Sequence, residues 1–290
     1  MLKEESVREI EIKRANIRHH DIEATMFENA HPEGSSIYEI ANMEKNLKTI
    51  INENCERNVC LDVGCGTGFV TDFEVPLYTY VIALDISSSM IRVIRGKLSD
   101  SGYLNLVMGD AENLPFRKSF ADLVSISSVL HHVPRPFQVI SNVSTILKKH
   151  GIIYITREPN IKKNRKYFEF IDHNLVHRIA LSINKNNTRI FSEGFVSADG
   201  LNYDAVDIHY PRGIRLEEIT TFLESKHYKI ISAYSYHWIY SDYKLKTTRD
   251  SISKINFLVE KLPFTDKLGR YINVIARKMD FGLHNYEYYS

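Results

Sequence analysis

Asp62-Val63-Gly64-Cys65-Gly66-Thr67-Gly68 is the stretch that decides the fold of this 290-residue chain. It begins inside the apolar run Val59–Val63, which is typical of a buried strand. Glycines that directly follow a strand let the backbone turn sharply and approach a ligand closely. The stretch therefore predicts a ligand-binding turn after a strand, although the same glycines could also form nothing more than a tight turn.

The glycine pattern differs from the common nucleotide-binding loops. The nicotinamide fingerprint G-x-G-x-x-G needs a third glycine, but Phe69 or Thr71 occupies that position when the count starts at Gly64 or Gly66. The phosphate loop G-x-x-x-x-G-K-[ST] is also missing. Asp62 suits a cationic or amine-bearing ligand better than a pyrophosphate. These differences argue against a nicotinamide dehydrogenase.

Short apolar runs alternate with helical patterns on both sides of the glycine loop. The run Ser87-Ser88-Ser89 is expected to cap a helix that runs through Leu98. A further helix is expected over about Phe137–Lys149, and Pro76 predicts a short helix after the loop. Strands that are apolar throughout and alternate with helices indicate a parallel sheet covered on both faces. The predicted strands are Val59–Val63, Val81–Asp85, Leu104–Gly109, Ala121–Ser127 and Ile152–Ile155.

Composition excludes several classes of protein. Lys plus Arg (37) nearly cancel Asp plus Glu (36), so the net charge of +1 does not suit a protein that coats nucleic acid. Cys55, Cys60 and Cys65 form no C-x-x-C pair, which argues against a disulfide framework and a zinc ribbon. We see no signal peptide and no run of about 20 apolar residues. We therefore expect a cytoplasmic protein without a membrane span.

Four motifs, in order, resemble those of the class I S-adenosylmethionine-dependent methyltransferases, in particular their type 11-like small-molecule branch. After the glycine loop, Gly109–Phe116 resembles the third-strand motif and Asp122–Val133 the fourth-strand motif with its paired histidines. Glu158-Pro159-Asn160 resembles the end of the fifth strand. The resemblance implies an α/β fold, namely a doubly wound, mostly parallel seven-stranded sheet of the Rossmann-like methyltransferase type, with an N-terminal helical cap and C-terminal insertions.

The resemblance also divides the chain into three parts of one domain. Residues 1–54 are expected to form the helical cap, residues 55–160 the S-adenosylmethionine-binding core, and residues 161–290 the substrate region that completes the sheet. The first helix and the insert 161–212 are expected to close over the site and exclude water. Elements expected in the last part are a helix over 162–183, a loop over 184–212, a helix over Arg215–Ser225, a strand over Lys229–Trp238, a helix over 250–261 and a strand over Tyr271–Arg277.

The resemblance assigns roles to acidic residues at the ends of strands. The glycine loop and Asp62 would hold the methionine part of S-adenosyl-L-methionine, Asp85 the two ribose hydroxyls, and Asp110 the adenine amine, with the amide of Ala111 facing the ring. Asp85 could instead cap the helix that follows, and Asp110 could be an ordinary loop residue. The predicted cofactor-binding residues are Asp62, Gly64, Cys65, Gly66, Gly68, Asp85, Ile86, Met90, Asp110, Ala111 and Ser127.

His131 and His132 are the candidate catalytic residues, because either imidazole could deprotonate a hydroxyl near neutral pH. The alternative is that they shape the pocket floor and bond the backbone. We expect no metal site, since His173 and His177 lie one helical turn apart but have no third ligand nearby and are better explained as a solvated face. The basic run Lys162–Lys166 could attract an anionic substrate or simply begin a helix.

Late aromatic residues leave one further question open. Tyr234, Tyr236, Trp238 and Tyr240 alternate as on one face of a strand, which could line an acceptor pocket or pack on a helix.

The function that the sequence favours is transfer of a methyl group, by in-line displacement, to a small molecule or a glycan- or lipid-type acceptor. An RNA (tRNA) methyltransferase and a non-catalytic S-adenosylmethionine-binding subunit are the alternatives. We expect no nucleic-acid partner, and a homodimer is compatible with the sequence.

Overall fold

The structure is a computed structural model that describes residues 2–31, 34, 36–53, 56–98, 103–160, 213–237, 246–262 and 269–280. Its centre is a seven-stranded sheet in the order β3-β2-β1-β4-β5-β7-β6. The first five strands pair in parallel, whereas β7 pairs antiparallel with both β5 and β6. The strands are β1 (Val59–Val63), β2 (Tyr80–Asp85), β3 (Leu104–Met108), β4 (Ala121–Ser127), β5 (Leu147–Pro159), β6 (Tyr228–Tyr236) and β7 (Tyr271–Lys278).

Helices cover both faces of the sheet, as the alternating pattern predicts. Two apolar clusters on opposite faces share the sheet, and strand residues such as Leu61, Val124 and Ile153 are fully buried. None of the helices in the described residues combines the length and apolarity needed to cross a bilayer. The described helices are α1 (Leu2–Glu23), α2 (Phe27–Ala30), α3 (Ile37–Glu53), α4 (Phe69–Glu74), α5 (Ser88–Lys97), α6 (Pro136–Ile146), α7 (Leu216–Ser225) and α8 (Lys246–Val259).

Several local predictions are confirmed. The Ser87 hydroxyl accepts a hydrogen bond from the backbone N–H of Met90 at 3.1 Å and so caps α5. α4 has six residues and ends two residues before Pro76. The doubly wound, mostly parallel arrangement of the sheet is also the predicted one.

The helix predicted over Phe137–Lys149 is wrong at its C-terminal end. α6 ends at Ile146, and Leu147 already pairs with Ala121 as the first residue of β5. The Lys148 ammonium contacts the Asp122 carboxylate on β4 at 2.6 Å, which holds this segment against the sheet. An irregularity follows, where His150 has a φ of 62° before Gly151. Pairing with β4 therefore overrides the helical propensity of this segment.

The order of the strands fixes where a ligand can bind. The chain runs outward from β1 through β2 to β3, and then in the opposite direction from β4 to β5, so the order reverses between β1 and β4. In open α/β sheets, ligands bind outside the carboxyl ends of the strands at such a switch point. The glycine loop follows β1 at this place.

Candidate functional site

A cavity of about 630 Å³ opens at the carboxyl ends of the central strands. Its size is that of a small-molecule or cofactor site. It brings together every predicted site residue except Gly68. The predicted residues that line it are Asp62, Gly64, Cys65, Gly66, Asp85, Ile86, Met90, Asp110, Ala111, Ser127, His131 and His132.

The three positions of the loop require glycine for different structural reasons. All three have positive φ, with values of 72° for Gly64, 53° for Gly66 and 88° for Gly68. A Cβ on Gly64 would lie 2.2 Å from a methyl carbon of Val129, and one on Gly68 would lie 2.7 Å from Ile94, so both positions are closed to a side chain. A Cβ on Gly66 would meet no protein atom within 4 Å. The loop is therefore free of packing contacts with other described residues on the side of the Gly66 Cα, and this side borders the cavity.

Asp85 ends β2 and points its carboxylate at the same loop. Oδ2 accepts a hydrogen bond from the N–H of Gly66 at 2.9 Å, and Oδ1 accepts one from the N–H of Ser87 at 2.8 Å. Burial raises the pKa of Asp85, and these backbone hydrogen bonds partly offset that rise. A carboxylate has about four acceptor positions, so each oxygen keeps one for a ligand. The cap of α5 is Ser87 itself, so Asp85 is not needed for capping.

Asp62 and Glu74 form a buried acidic pair beneath the loop. Both residues have no exposed surface. Asp62 accepts a hydrogen bond from the Thr71 hydroxyl at 2.6 Å, and Glu74 accepts one from the Ser125 hydroxyl at 2.5 Å. Burial raises the pKa of both carboxyls, and the negative charge of Asp62 raises that of Glu74 further. The loop thus lies above two carboxyl groups whose raised pKa favours the protonated, neutral form.

Asp110 is held by the N-terminal helix. Its Oδ2 accepts hydrogen bonds from the Lys13 ammonium at 2.6 Å and the Asn113 amide at 2.9 Å, and its Oδ1 accepts one from the N–H of Glu112 at 2.9 Å. Burial raises the pKa of Asp110, but these hydrogen bonds outweigh it and lower the pKa below the ordinary value. Lys13 also contacts the buried Glu112 carboxylate at 2.7 Å. One acceptor position on Oδ1 remains for a ligand.

Further contacts hold α1 across the mouth of the cavity. The Asp21 carboxylate accepts hydrogen bonds from the Ser87 hydroxyl at 2.6 Å and from the N–H of Ser89 at 2.9 Å. The Asn16 amide donates to the carbonyl of His132 at 3.3 Å. These contacts, with Lys13, join α1 to the segments that follow β2, β3 and β4, so the helix encloses one side of the cavity.

The paired histidines have different surroundings. His131 is 6% exposed, and its Nδ1 lies 2.8 Å from Oε2 of the fully buried Glu158. Glu158 also accepts hydrogen bonds from the N–H groups of Val129, Leu130 and His131, at 2.7, 2.9 and 3.2 Å. The ring of His132 lies between those of His131 and His20, with centroids 3.9 and 5.2 Å away. Glu158 therefore fixes both the loop after β4 and the orientation of His131.

Other cavity residues were not found from the sequence. Helix α1 and the turn that follows supply most of them, and β5 and the entry to β7 supply others. Most of them lie far from the motifs in sequence, although Arg157 and Asn160 lie beside and within the motif Glu158-Pro159-Asn160. On α1, the visible signal is the pair His19-His20. They include Lys13, Asn16, His19, His20, Glu23, His31, Arg157, Asn160, Arg270 and Tyr271.

The late aromatic residues pack on a helix. The Tyr234 hydroxyl lies 2.8 and 2.9 Å from the side-chain oxygens of Asn42 and Asn46 on α3. The Tyr236 hydroxyl contacts Glu39 at 3.3 Å. The packing alternative therefore holds for these two tyrosines.

Some residues singled out in the sequence lie outside the described residues. They are Cys55, Lys162–Lys166, His173, His177, the expected closing segment 161–212, Trp238 and Tyr240.

Comparison with known proteins supports the motif-based assignment. Residues 61–155 match the type 11 family model described as a methyltransferase domain. The biotin biosynthesis bifunctional protein BioHC of Cellvibrio japonicus is 37% identical over 35% of this chain and 20% of its own length. The demethylmenaquinone methyltransferase of Staphylococcus saprophyticus is 32% identical over 38% of this chain and 52% of its own length. The chain thus spans about half or less of the length of these relatives.

A solved structure shares the fold. The N-methyltransferase NodS from Bradyrhizobium japonicum, in complex with S-adenosyl-L-homocysteine, superposes with a TM-score of 0.52 at 10% identity. The match covers 84% of this chain and 89% of that one. The similarity extends beyond residues 61–155 and therefore includes part of the cap or of the region that completes the sheet.

Proposed function

We propose that this chain, which carries a methyltransferase domain over residues 61–155, transfers a methyl group from S-adenosyl-L-methionine to a small-molecule acceptor. The observation that carries the proposal is the position of Asp85 beside Gly66. A buried carboxylate with one acceptor left on each oxygen suits a vicinal diol, and the loop beside it has its open side at the cavity.

The cavity suits the rest of the cofactor as well. Oδ1 of Asp110 and the N–H of Ala111 would face the adenine, and Asp62 lies under the loop where the methionine part would sit. S-Adenosyl-L-methionine would supply a methyl carbon activated by its bond to a sulfonium sulfur. The residues of the chain would then bind and orient the two reactants and exclude water, which is the main requirement of an in-line displacement.

His131 is the residue we propose as a base for a hydroxyl acceptor. A histidine base needs a partner that fixes its ring, and Glu158 does so through Nδ1. His132 would then form the wall between this base and the histidines of α1. Such a base matters only if the acceptor must lose a proton, so its importance depends on the acceptor.

The enclosed cavity supports a small acceptor over RNA. Helix α1 lies over the mouth and is fixed by Lys13, Asn16 and Asp21. A folded RNA would need an open basic face, whereas the chain has a net charge of only +1. One relative is a demethylmenaquinone methyltransferase, so quinol-type molecules belong among the first acceptors tested.

Calorimetry of the purified chain with S-adenosylmethionine, S-adenosylhomocysteine and NAD tests the cofactor. We expect both sulfur compounds to bind with one site and NAD not to bind. Replacing Asp85 by Asn should weaken S-adenosylmethionine about tenfold or more, since a hydrogen bond to a charged group contributes about 1.5–3 kcal/mol. Tight binding of NAD alone, or unchanged affinity in the Asp85→Asn variant, would contradict the proposal.

A labelled-methyl assay tests the acceptor. The chain would be incubated with methyl-labelled cofactor and extract fractions that separate small metabolites, lipids, glycans and RNA. We expect label in a small-molecule or lipid fraction. Label in RNA would favour the tRNA alternative, and cofactor binding without transfer to any fraction would favour a non-catalytic subunit.

A further inference from the structure

Helix α1 presents a group of metal-ligating side chains to the cavity. His19, His20 and Glu23 each offer one ligand atom, and these atoms all lie within 4.8 Å of one another. The spacing explains the grouping, because residues three and four apart lie on the same face of a helix. All three side chains line the same cavity as the glycine loop. The group therefore borders the same cavity as the proposed cofactor site.

The geometry of this group suits a metal ion. Nε2 of His19 lies 3.3 Å from Oε2 of Glu23, and Glu23 is only 8% exposed. The group thus combines imidazole nitrogens with a buried carboxylate, the types of ligand that Zn²⁺ takes in proteins.

A second observation points independently to a ligand here. Nδ1 of His20 is buried and has no hydrogen-bond partner in the part of the chain that the structure describes. Buried polar atoms nearly always have a partner, so this nitrogen is a position that a bound ion or its water would satisfy. Nε2 of His31 lies 3.0 Å from Oε1 of Glu23 and so orients this carboxylate, as the hydrogen-bond partners of metal ligands do.

We propose that His19, His20 and Glu23 bind a divalent transition-metal ion such as Zn²⁺, and that its remaining coordination position takes an oxygen or sulfur atom of the methyl acceptor. Two histidines and a glutamate, with a fourth position left for substrate, are a known ligand set of catalytic zinc. The role of the acceptor rests on the proposed function, whereas metal binding does not. This inference departs from the absence of a metal site expected from the sequence.

The metal would activate a hydroxyl or thiol acceptor by lowering its pKa. The acceptor would release its proton to His131, the proposed base that lines the same cavity. Its lone pair would then form the bond to the methyl carbon, while the bond between that carbon and the sulfonium sulfur breaks and leaves its electron pair on sulfur. The products are the methylated acceptor and a neutral thioether.

Metal titration of the full chain tests the site. After removal of metals with a chelator, we expect one equivalent of Co²⁺ to bind and to give the visible absorption of a four-coordinate site, and Zn²⁺ to displace it. His19→Ala and Glu23→Gln should each weaken metal binding at least about tenfold. His150→Asn is the matched control, since His150 is exposed on the turn within β5 and Asn tolerates its positive φ.

The results separate this inference from the proposed function. Failure of the wild-type chain to bind a stoichiometric metal ion, or equal affinity in wild type and His19→Ala, would overturn the metal site. Circular dichroism checks folding, and His19→Ala decides alone if Glu23→Gln does not fold. Binding of S-adenosylmethionine to the metal-free chain is measured in parallel. Cofactor binding without metal binding overturns only this inference. Metal binding without cofactor binding overturns the proposed function, and with it the role of the acceptor, but not the metal site.

Discussion

The Glu158 carboxylate holds Nδ1 of His131 at 2.8 Å while it also accepts three consecutive backbone N–H groups of the loop after β4. A fully buried carboxylate at the end of one strand thus fixes the backbone at the end of its neighbour. The loop carries both candidate catalytic histidines, so Glu158 supports both the conformation of the loop and the orientation of His131.

Replacing Glu158 by Ala should destabilise the fold strongly. The change leaves the N–H groups of Val129 and Leu130 and the His131 ring without their buried acceptor, and each such loss costs about 1–3 kcal/mol. We expect the free energy of unfolding to fall by about 3 kcal/mol or more, as measured by urea denaturation. Glu217→Ala, at an exposed position on α7, should change it by less than about 0.5 kcal/mol. Equal effects of the two variants would rule out the structural role of Glu158.

Alanine substitutions of the glycines should separate folding from binding. Gly64→Ala places a methyl group 2.2 Å from Val129 and should lower stability by several kcal/mol, on the order of a severe overpacking. Gly66→Ala meets no protein atom within 4 Å, so we expect about 1 kcal/mol of backbone strain together with a large loss of cofactor affinity.

Gly96→Ala is the control for these variants. Gly96 lies in α5 and a Cβ there also meets nothing within 4 Å, so the change should stabilise the chain by about 0.5–1 kcal/mol without altering affinity. Thermal unfolding and calorimetry measure the two properties separately. Normal cofactor affinity in Gly66→Ala would mean that the loop does not contact the cofactor.

The acidic pair predicts a pH dependence of stability. Because the pKa of Glu74 is raised by burial and by Asp62, the folded chain binds a proton more tightly than the unfolded chain does. The free energy of unfolding contributed by this group therefore falls as pH rises from the ordinary carboxyl pKa of about 4 to the raised value. Glu74→Gln keeps an acceptor for Ser125 and should flatten the decline between pH 5 and 8.

The difference between wild type and Glu74→Gln isolates this effect. His20 has the opposite effect on the pH dependence of stability, because burial lowers its pKa to about 4. Its contribution to the free energy of unfolding is therefore lost as pH falls below 6.5. Urea denaturation at several pH values gives both curves. We subtract the free energy of unfolding of wild type from that of Glu74→Gln at each pH. We expect this difference to be about 1–3 kcal/mol larger at pH 8 than at pH 5, because one pKa unit corresponds to 1.36 kcal/mol. Parallel curves would show that Glu74 is ionised throughout.

Loss of Lys13 should loosen the N-terminal helix. Its ammonium joins α1 to Asp110 and to the buried Glu112, so Lys13→Gln removes the positive charge between two carboxylates. We expect amide hydrogens of α1 to exchange at least about threefold faster, in line with a loss of about 1 kcal/mol. Lys48→Gln, at an exposed position on α3, should leave the exchange of α1 unchanged. Unaltered exchange in Lys13→Gln would mean that other contacts hold the helix.

The sequence predicts the central strands and the start of α5 because these elements are determined by residues close together in the sequence. β1 and β4 have the predicted bounds, since each is an apolar run ended by a turn, and Ser87 caps α5 as its residue type indicates. The end of α6 was missed because Leu147 and Lys148 pair with residues more than twenty positions earlier on β4.

The resemblance implies that the first helix closes over the site, but the residues with which α1 lines the cavity could not be predicted, for the same reason. The polar face of this helix looks solvated in the sequence, but Lys13 and Asp21 have partners on the segments after β3 and β2. Glu158 was noted only as part of a familiar strand end, and its hydrogen bonds to the loop after β4 depend on sheet register. Residues of this kind become visible when the sheet brings distant segments together.

The position of β7 has a consequence for synthesis of the chain. Residues 271–278 form an inner strand of the sheet although they come after all its other strands in the sequence. On the ribosome, the edge of β5 remains unpaired and β6 has no neighbour to pair with until these residues emerge from the exit tunnel. Unpaired edges of this kind invite aggregation. We therefore expect the two strands beyond β5, namely β7 and β6, to join the sheet only after translation of residue 278. Nascent chains stalled before it should depend on chaperones.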